Sequence, residues 1–192
     1  MRVSIFLGDI SLAPADAVCT STNPRLSLVM GTGAAVRERG GHEILRECET
    51  IVGREGPHLP AGSAHVTTAG SLPHKIVIHC VASDTSHRSS EQIVRACVTH
   101  ALAAADAARC RTVAMPVFGA GHAHMKFERS LSVIAETARH AATSVEEVVL
   151  VILDPDRVEE ARRVASSVFG GEVKVTQSES REEPAGWWSE EE

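Results

Sequence analysis

The sequence predicts a three-layer α/β/α sandwich around a mostly parallel, mixed central sheet, and three observations carry that prediction. Short apolar runs bounded by turn residues alternate with longer segments whose apolar residues recur every three to four positions. The chain has 192 residues, 43% of them apolar, which is long enough for one well-cored domain and short for two. Aromatics are scarce, with no Tyr, four Phe and two Trp, so Val, Ile, Leu and Ala must build the core at strand and helix periods.

Taken in order, the apolar runs lie at residues 3–7, 17–20, 64–68, 75–80, 112–116 and 147–153, and each reads as a buried strand. Segments 43–52, 91–108, 131–142 and 157–168 read as amphipathic helices; in the second, Ile93, Val94, Cys97, Ala101, Leu102 and Ala105 form one stripe. Strands separated by helices of this length need crossover connections, and ligands of such sheets collect beyond the carboxyl ends of the strands. The loops of interest are therefore Gly8-Asp9-Ile10, the segment after Thr20 and the segment after Pro116. The main domain is expected to span residues 1–170, and residues 171–192 to hold a last short strand and an acidic tail. The composition of that tail predicts disorder, with Trp187-Trp188 as a solvated end.

The formal charge of −6 is concentrated in residues 178–192, which carry a net −5 and leave the body near neutral. No Lys/Arg cluster marks a phosphate-backbone footprint, which argues against nucleic acid as the main partner. The five cysteines, Cys19, Cys48, Cys80, Cys97 and Cys110, are odd in number and contain no C-x-x-C pair, as expected of reduced, buried thiols. No apolar stretch approaches the roughly 20 residues of a membrane span, and the first strand is too short for a signal sequence. A cytoplasmic protein with no membrane partner and no cofactor is expected.

Two loops carry the chemistry. The first runs Thr20-Ser21-Thr22-Asn23-Pro24-Arg25-Leu26 and continues to Gly31-Thr32-Gly33-Ala34 before a short helix. Small residues at a helix start leave backbone N–H groups uncovered, which suits a phosphate, although a tight turn uses glycine equally well. The second, Val117-Phe118-Gly119-Ala120-Gly121-His122-Ala123, repeats the design after another strand. Together they offer N–H donors for a diphosphate without Lys or Arg. Asp9, directly after the first strand, serves either as an N-cap or as acceptor for an exocyclic amine such as adenine N6.

These residues add up to a resemblance. Gly8-Asp9-Ile10, Ala15-Asp16-Ala17-Val18 leading to Asn23, and Gly40-Gly41 look like the opening of a macro domain. Pro60-Ala61-Gly62, then Leu72-Pro73-His74-Lys75 running into Val77-Ile78-His79, continue the pattern. Pro116 with Gly119-Ala120-Gly121 and a last apolar strand ending at Asp154 complete it, over roughly residues 1–169. The spacing from Asn23 to Gly40-Gly41 is most similar to the histone-linked branch. The resemblance implies that Asp9 and the Ile10 backbone hold adenine and that Asn23 lies beside the distal ribose. It further implies that Gly31, Thr32, Gly33 and Ala34 with residues 117–123 wrap the diphosphate and that ribose. The expected partner is ADP-ribose or ADP-ribosylated protein.

The chain also departs from the family. Hydrolytic macro domains typically carry an acid in the first loop, and here Gly33 stands in its place, so a general base within reach of a water is missing. The second loop has Ala123 between His122 and His124 where an aromatic is common. His122-x-His124 could supply two metal ligands, with His79, His100 or Cys80 as further ones, but a clear third ligand is lacking and His79 and Cys80 alternate on a strand as core or capping groups, so no metal is expected. No nucleophile motif is present. Binding of ADP-ribose is thus the leading expectation, ahead of a slow ADP-ribosyl hydrolase or ADP-ribose 1″-phosphate processing enzyme, and of a macro-fold scaffold that has lost its ligand.

Overall fold

A computed structural model describes residues 1–178. The expectations for the acidic tail and Trp187-Trp188 fall on residues outside that range. The chain runs β1 (Arg2–Leu7), a 3-10 turn (Ile10–Leu12), β2 (Ala17–Thr22), α1 (Gly31–Gly40), α2 (His42–Glu55), β3 (Ala64–Thr68) and β4 (Ile76–Val81). It continues with α3 (Glu91–Ala107), β5 (Thr112–Pro116), α4 (Phe127–His140), β6 (Glu147–Ile152), a second 3-10 turn (Pro155–Arg157), α5 (Val158–Phe169) and β7 (Lys174–Gln177).

The seven strands form one sheet in the order β3-β4-β2-β5-β6-β1-β7. Every neighbouring pair is parallel except β3 with β4, which makes the sheet mixed. The period-2 alternation of β2 and β4 sorts their side chains into two cores. Cys19, Ile78 and Cys80 pack with Val94 and Val98 of α3, Ile134 of α4 and Ala161 of α5 on one face. Val18, Val77 and Val81 pack with Val36 of α1 and Ile44, Cys48 and Ile51 of α2 on the other. Burial on both faces explains why these strands read as unbroken apolar runs.

Several bounds differ from the sequence reading for local reasons. β2 extends through Ser21 and Thr22, which pair with Cys80 and Val81, and the Thr22 hydroxyl donates to the Cys80 carbonyl at 3.1 Å. α4 begins at Phe127, because Met125 and Phe127 pack against the core ahead of Leu131. Gly31 to Ala34 form the first turn of α1 rather than a loop. β7 pairs in parallel with β1, so the sheet continues past residue 170. Among the described residues no helix is long and apolar enough to cross a membrane.

Candidate functional site

Six of the seven strands run in parallel and so end on the same side of the molecule. Across that rim the strand order places Asp9 after β1, Leu153 after β6, residues 117–126 after β5, Asn23 after β2 and residues 82–90 after β4. From β1 to β2 is three strand intervals, about 14 Å at the usual spacing. The sequence could nominate these loops but could not order them along a line.

Asp9 is an N-cap and more. Its Oδ1 accepts from the Ser11 backbone N–H at 2.8 Å and from the Ser11 hydroxyl at 2.7 Å. Its Oδ2 stands 3.6 Å from Arg39 Nε on α1. One oxygen therefore fixes the 3-10 turn, and the other stays in a half-exposed position with a cation beside it. Ile10, 3% exposed, anchors the turn in the core, leaving its backbone as the available group.

The first turn of α1 supplies donors. Among the described residues the N–H groups of Gly31, Thr32 and Gly33 carry no hydrogen bond, whereas that of Ala34 is closed by the Met30 carbonyl at 3.3 Å. The Thr32 hydroxyl accepts from the Ser21 N–H at 2.9 Å, which pins this turn to the end of β2. Gly33 is buried against Leu28: a Cβ there would lie 3.1 Å from both Leu28 Cα and Leu28 Cδ2. The position that the resemblance assigns to a catalytic acid is thus turned into packing. Val29 and Met30, just before the helix, are 60% and 53% exposed.

The second loop repeats the donor arrangement. The N–H groups of Gly119, Gly121, His122 and Ala123 carry no hydrogen bond among the described residues, while that of Ala120 turns back to the Val117 carbonyl at 3.3 Å. Phe118 is fully buried, and its carbonyl takes the Ser130 hydroxyl at 2.5 Å, so its ring belongs to the core rather than to the cleft. Gly119 has φ +71°, and a Cβ on it would come 2.5 Å from Ser89 Oγ. Only glycine fits there. Gly121 is exposed, and a side chain on it would meet nothing within 4 Å. Ser89, Leu28 and Arg39 support these loops, and no sequence signal marked them.

Asn23 closes the loop after β2 with its own side chain. Oδ1 accepts from the N–H of Arg25 at 3.0 Å and of Ser27 at 3.3 Å, which leaves the Nδ2 amide as a donor. His79 does not join His122 and His124. It is fully buried beneath α2, with Nδ1 2.9 Å from Thr20 Oγ1 and Nε2 2.9 Å from Thr67 Oγ1. Burial, reinforced by His65, holds its imidazole down at about 3. Among the described residues no three His, Cys, Asp or Glu side chains gather as metal ligands. Burial also pushes the Cys48 thiol up to about 12, and Cys80 upward as well, so neither is a nucleophile.

A groove of about 410 Å³ lies elsewhere, between α2 and the edge strand β3, lined by Glu47, Thr50, Arg54, His65 and Val66. Its charged groups are already engaged: Glu47 accepts from the Thr68 N–H and hydroxyl, and Glu55 faces Arg54 and His65. Shape alone does not outweigh the unpaired donors at the strand ends.

Comparison with known proteins agrees with this fold. The family model described as Macro domain matches residues 19–134. A macro domain-containing protein of Streptomyces coelicolor is 35% identical over 156 residues, covering 79% of this chain and 91% of that protein. One from Streptomyces nogalater is likewise 35% identical, covering 79% of this chain and 85% of the other. Among solved structures, an Oceanobacillus iheyensis macrodomain with ADP superposes with a TM-score of 0.73 at 20% identity, covering 84% of this chain and 86% of that one. A Trypanosoma brucei macrodomain in complex with ADP-ribose gives 0.73 at 16% identity, covering 83% of this chain and 67% of that one. At these identities the structural likeness is one of fold.

Proposed function

Since the chain belongs to the macro domain family, we propose that it binds ADP-ribose, free or attached to protein, across the ends of β1, β6, β5 and β2. The observation that carries this reading is the pair of donor sets on neighbouring strands. Three unused N–H groups open α1 after β2, and four more lie in the loop after β5. A diphosphate between them is held by backbone dipoles and a helix N-terminus, so a near-neutral body needs no lysine or arginine at the phosphates. Asp9 Oδ2 then meets the adenine amine three strand intervals away, and Asn23 Nδ2 donates to the distal ribose. Val29, Met30 and Leu153, exposed at 60%, 53% and 73%, offer apolar surface on the same rim.

In this proposal the chain is a reader rather than a hydrolase, because Gly33 packs on Leu28 where an acid would be required. It acts in the cytoplasm, where the five buried free thiols remain reduced. Calorimetric titration tests the reading: ADP-ribose binds and AMP binds much more weakly, because AMP reaches the Asp9 end alone. Equal affinity for the two ligands would overturn the two-loop arrangement.

A further inference from the structure

The cleft has a direction, and what lies beyond its distal end has a charge. One strand past Asn23 is β4, whose following loop, residues 82–90, packs on the second glycine loop: Ser89 N–H donates to the Ala123 carbonyl at 3.3 Å, and Gly119 rests on Ser89. The helices that follow these two loops start side by side, joined by Arg129 of α4 and Glu91 of α3 at 2.5 Å. Arg88, three residues before the start of α3, and Lys126, directly before the start of α4, are thereby brought to the same corner. Arg25 lies two residues after Asn23 on the adjoining strand end.

Arg25, Arg88 and Lys126 are all exposed and form no ion pair among the described residues, although most arginines of this chain do. Within residues 23–30, 82–90 and 117–126 the sole acid is Asp84. Its Oδ1 is taken by the N–H groups of Ser86 and Arg88 at 2.8 and 2.9 Å, which closes the loop and turns His87 outward with φ +58°. In a body near neutral, this corner is a local excess of positive charge.

Resting on the ADP-ribose reading above, we infer that this corner receives the polypeptide attached to the distal ribose and selects acceptors whose flanking residues are acidic. The attachment point of a bound ADP-ribosyl group lies at the distal ribose, so the carrier chain leaves the cleft over Arg25, Arg88 and Lys126. Exposed cations at that exit favour Asp- and Glu-rich carriers and repel Lys- and Arg-rich ones.

The test uses two synthetic peptides carrying the same hydrolysis-resistant ADP-ribosyl link, one flanked by Glu and Asp and one by Lys and Arg, with free ADP-ribose as the reference. The acidic conjugate is expected to bind about tenfold more tightly than the basic one at low salt, the order that a few exposed ion pairs supply. The ratio should collapse toward one at about 0.5 M salt and in the Arg88→Gln/Lys126→Gln double variant, while free ADP-ribose affinity stays the same. Equal binding of the two conjugates, with free ADP-ribose still bound, overturns this inference alone. Failure of free ADP-ribose to bind overturns the proposed function, and this inference with it.

Discussion

Gly121→Glu separates a working cleft from an inherited fold. Its backbone is not in the left-handed region, and a side chain there meets nothing within 4 Å. The substitution should therefore change stability by no more than about 0.5 kcal/mol, the usual range for an exposed position. If the loop carries the diphosphate, the new carboxylate stands in the anion site. One charge-assisted hydrogen bond lost costs about 1.5–3 kcal/mol, and repulsion at a few ångströms near a surface adds about 1–2 kcal/mol. Together these predict an affinity loss of about seventyfold to several thousandfold. Gly119→Ala provides the contrast, because φ +71° and a Cβ 2.5 Å from Ser89 Oγ force strain into the loop itself. That variant should lose about 1–3 kcal/mol of stability. Circular dichroism and thermal melts establish folding first, and calorimetry then measures ADP-ribose. A folded Gly121→Glu protein with wild-type affinity would refute the phosphate assignment and favour a scaffold without ligand.

Three further outcomes are expected. Asp9→Ala removes both the cap on Ser11 and the adenine acceptor, so competition with other nucleotides should show lost preference for adenine. Its effect on affinity should add to that of Gly121→Glu, because the two positions are far apart and share no partner. Gly33→Asp should not create a hydrolase, since its Cβ meets Leu28 at 3.1 Å; melting should reveal a loss of about 1–3 kcal/mol, and a gain of turnover on mono-ADP-ribosylated protein would contradict the packing argument. Stability should fall on mild acidification. His79 is held at about 3 in the folded state against an ordinary 6.5, so its contribution is complete above about pH 6.5 and is lost progressively down to pH 3. Between pH 6.5 and 5 that is about 2 kcal/mol in urea melts, and His79→Gln should remove most of the slope. His65 and His74, both depressed by burial, act in the same direction.

The buried strands were legible because a strand covered on both faces is an uninterrupted apolar run, as in residues 76–81 and 147–152. Ser21 and Thr22 were missed as strand because polar residues read as loop, yet their ladder partners lie almost sixty residues away. The same limit applies to strand order: β1 sits between β6 and β7, a pairing that no local pattern encodes. At the site, the glycines were visible and their separate jobs were not. Gly119 makes room for Ser89, Gly33 makes room for Leu28, and Gly31 and Gly121 are both open, Gly31 at φ +56°. Phe118, grouped with the loop by position, proved to be a core anchor. In each case the deciding neighbour is remote in sequence or is a backbone group without a sequence signature.

The Thr20-His79-Thr67 chain shows how the fold fixes the end of β2 that leads to Asn23. Thr67 donates its proton to the Thr68 carbonyl at 3.0 Å, so its oxygen must accept from His79 Nε2. His79 Nδ1 is then an acceptor and takes the proton of Thr20. Every group in this line across β3, β4 and β2 is satisfied only with a neutral imidazole in one tautomer, and a second ring proton would face the Thr20 donor in a site closed to water. The network therefore pins β2 to β4 two residues before Thr22, whose hydroxyl makes the next cross-strand bond to Cys80. Asn23 begins where those two bonds end. A ligand that depends on backbone donors gains little from adaptable side chains and much from loops that do not move, because each donor is useful only where the phosphate oxygen will be. The polar seam under α2 supplies that fixity from the sheet, two residues from the end of the strand that delivers Asn23.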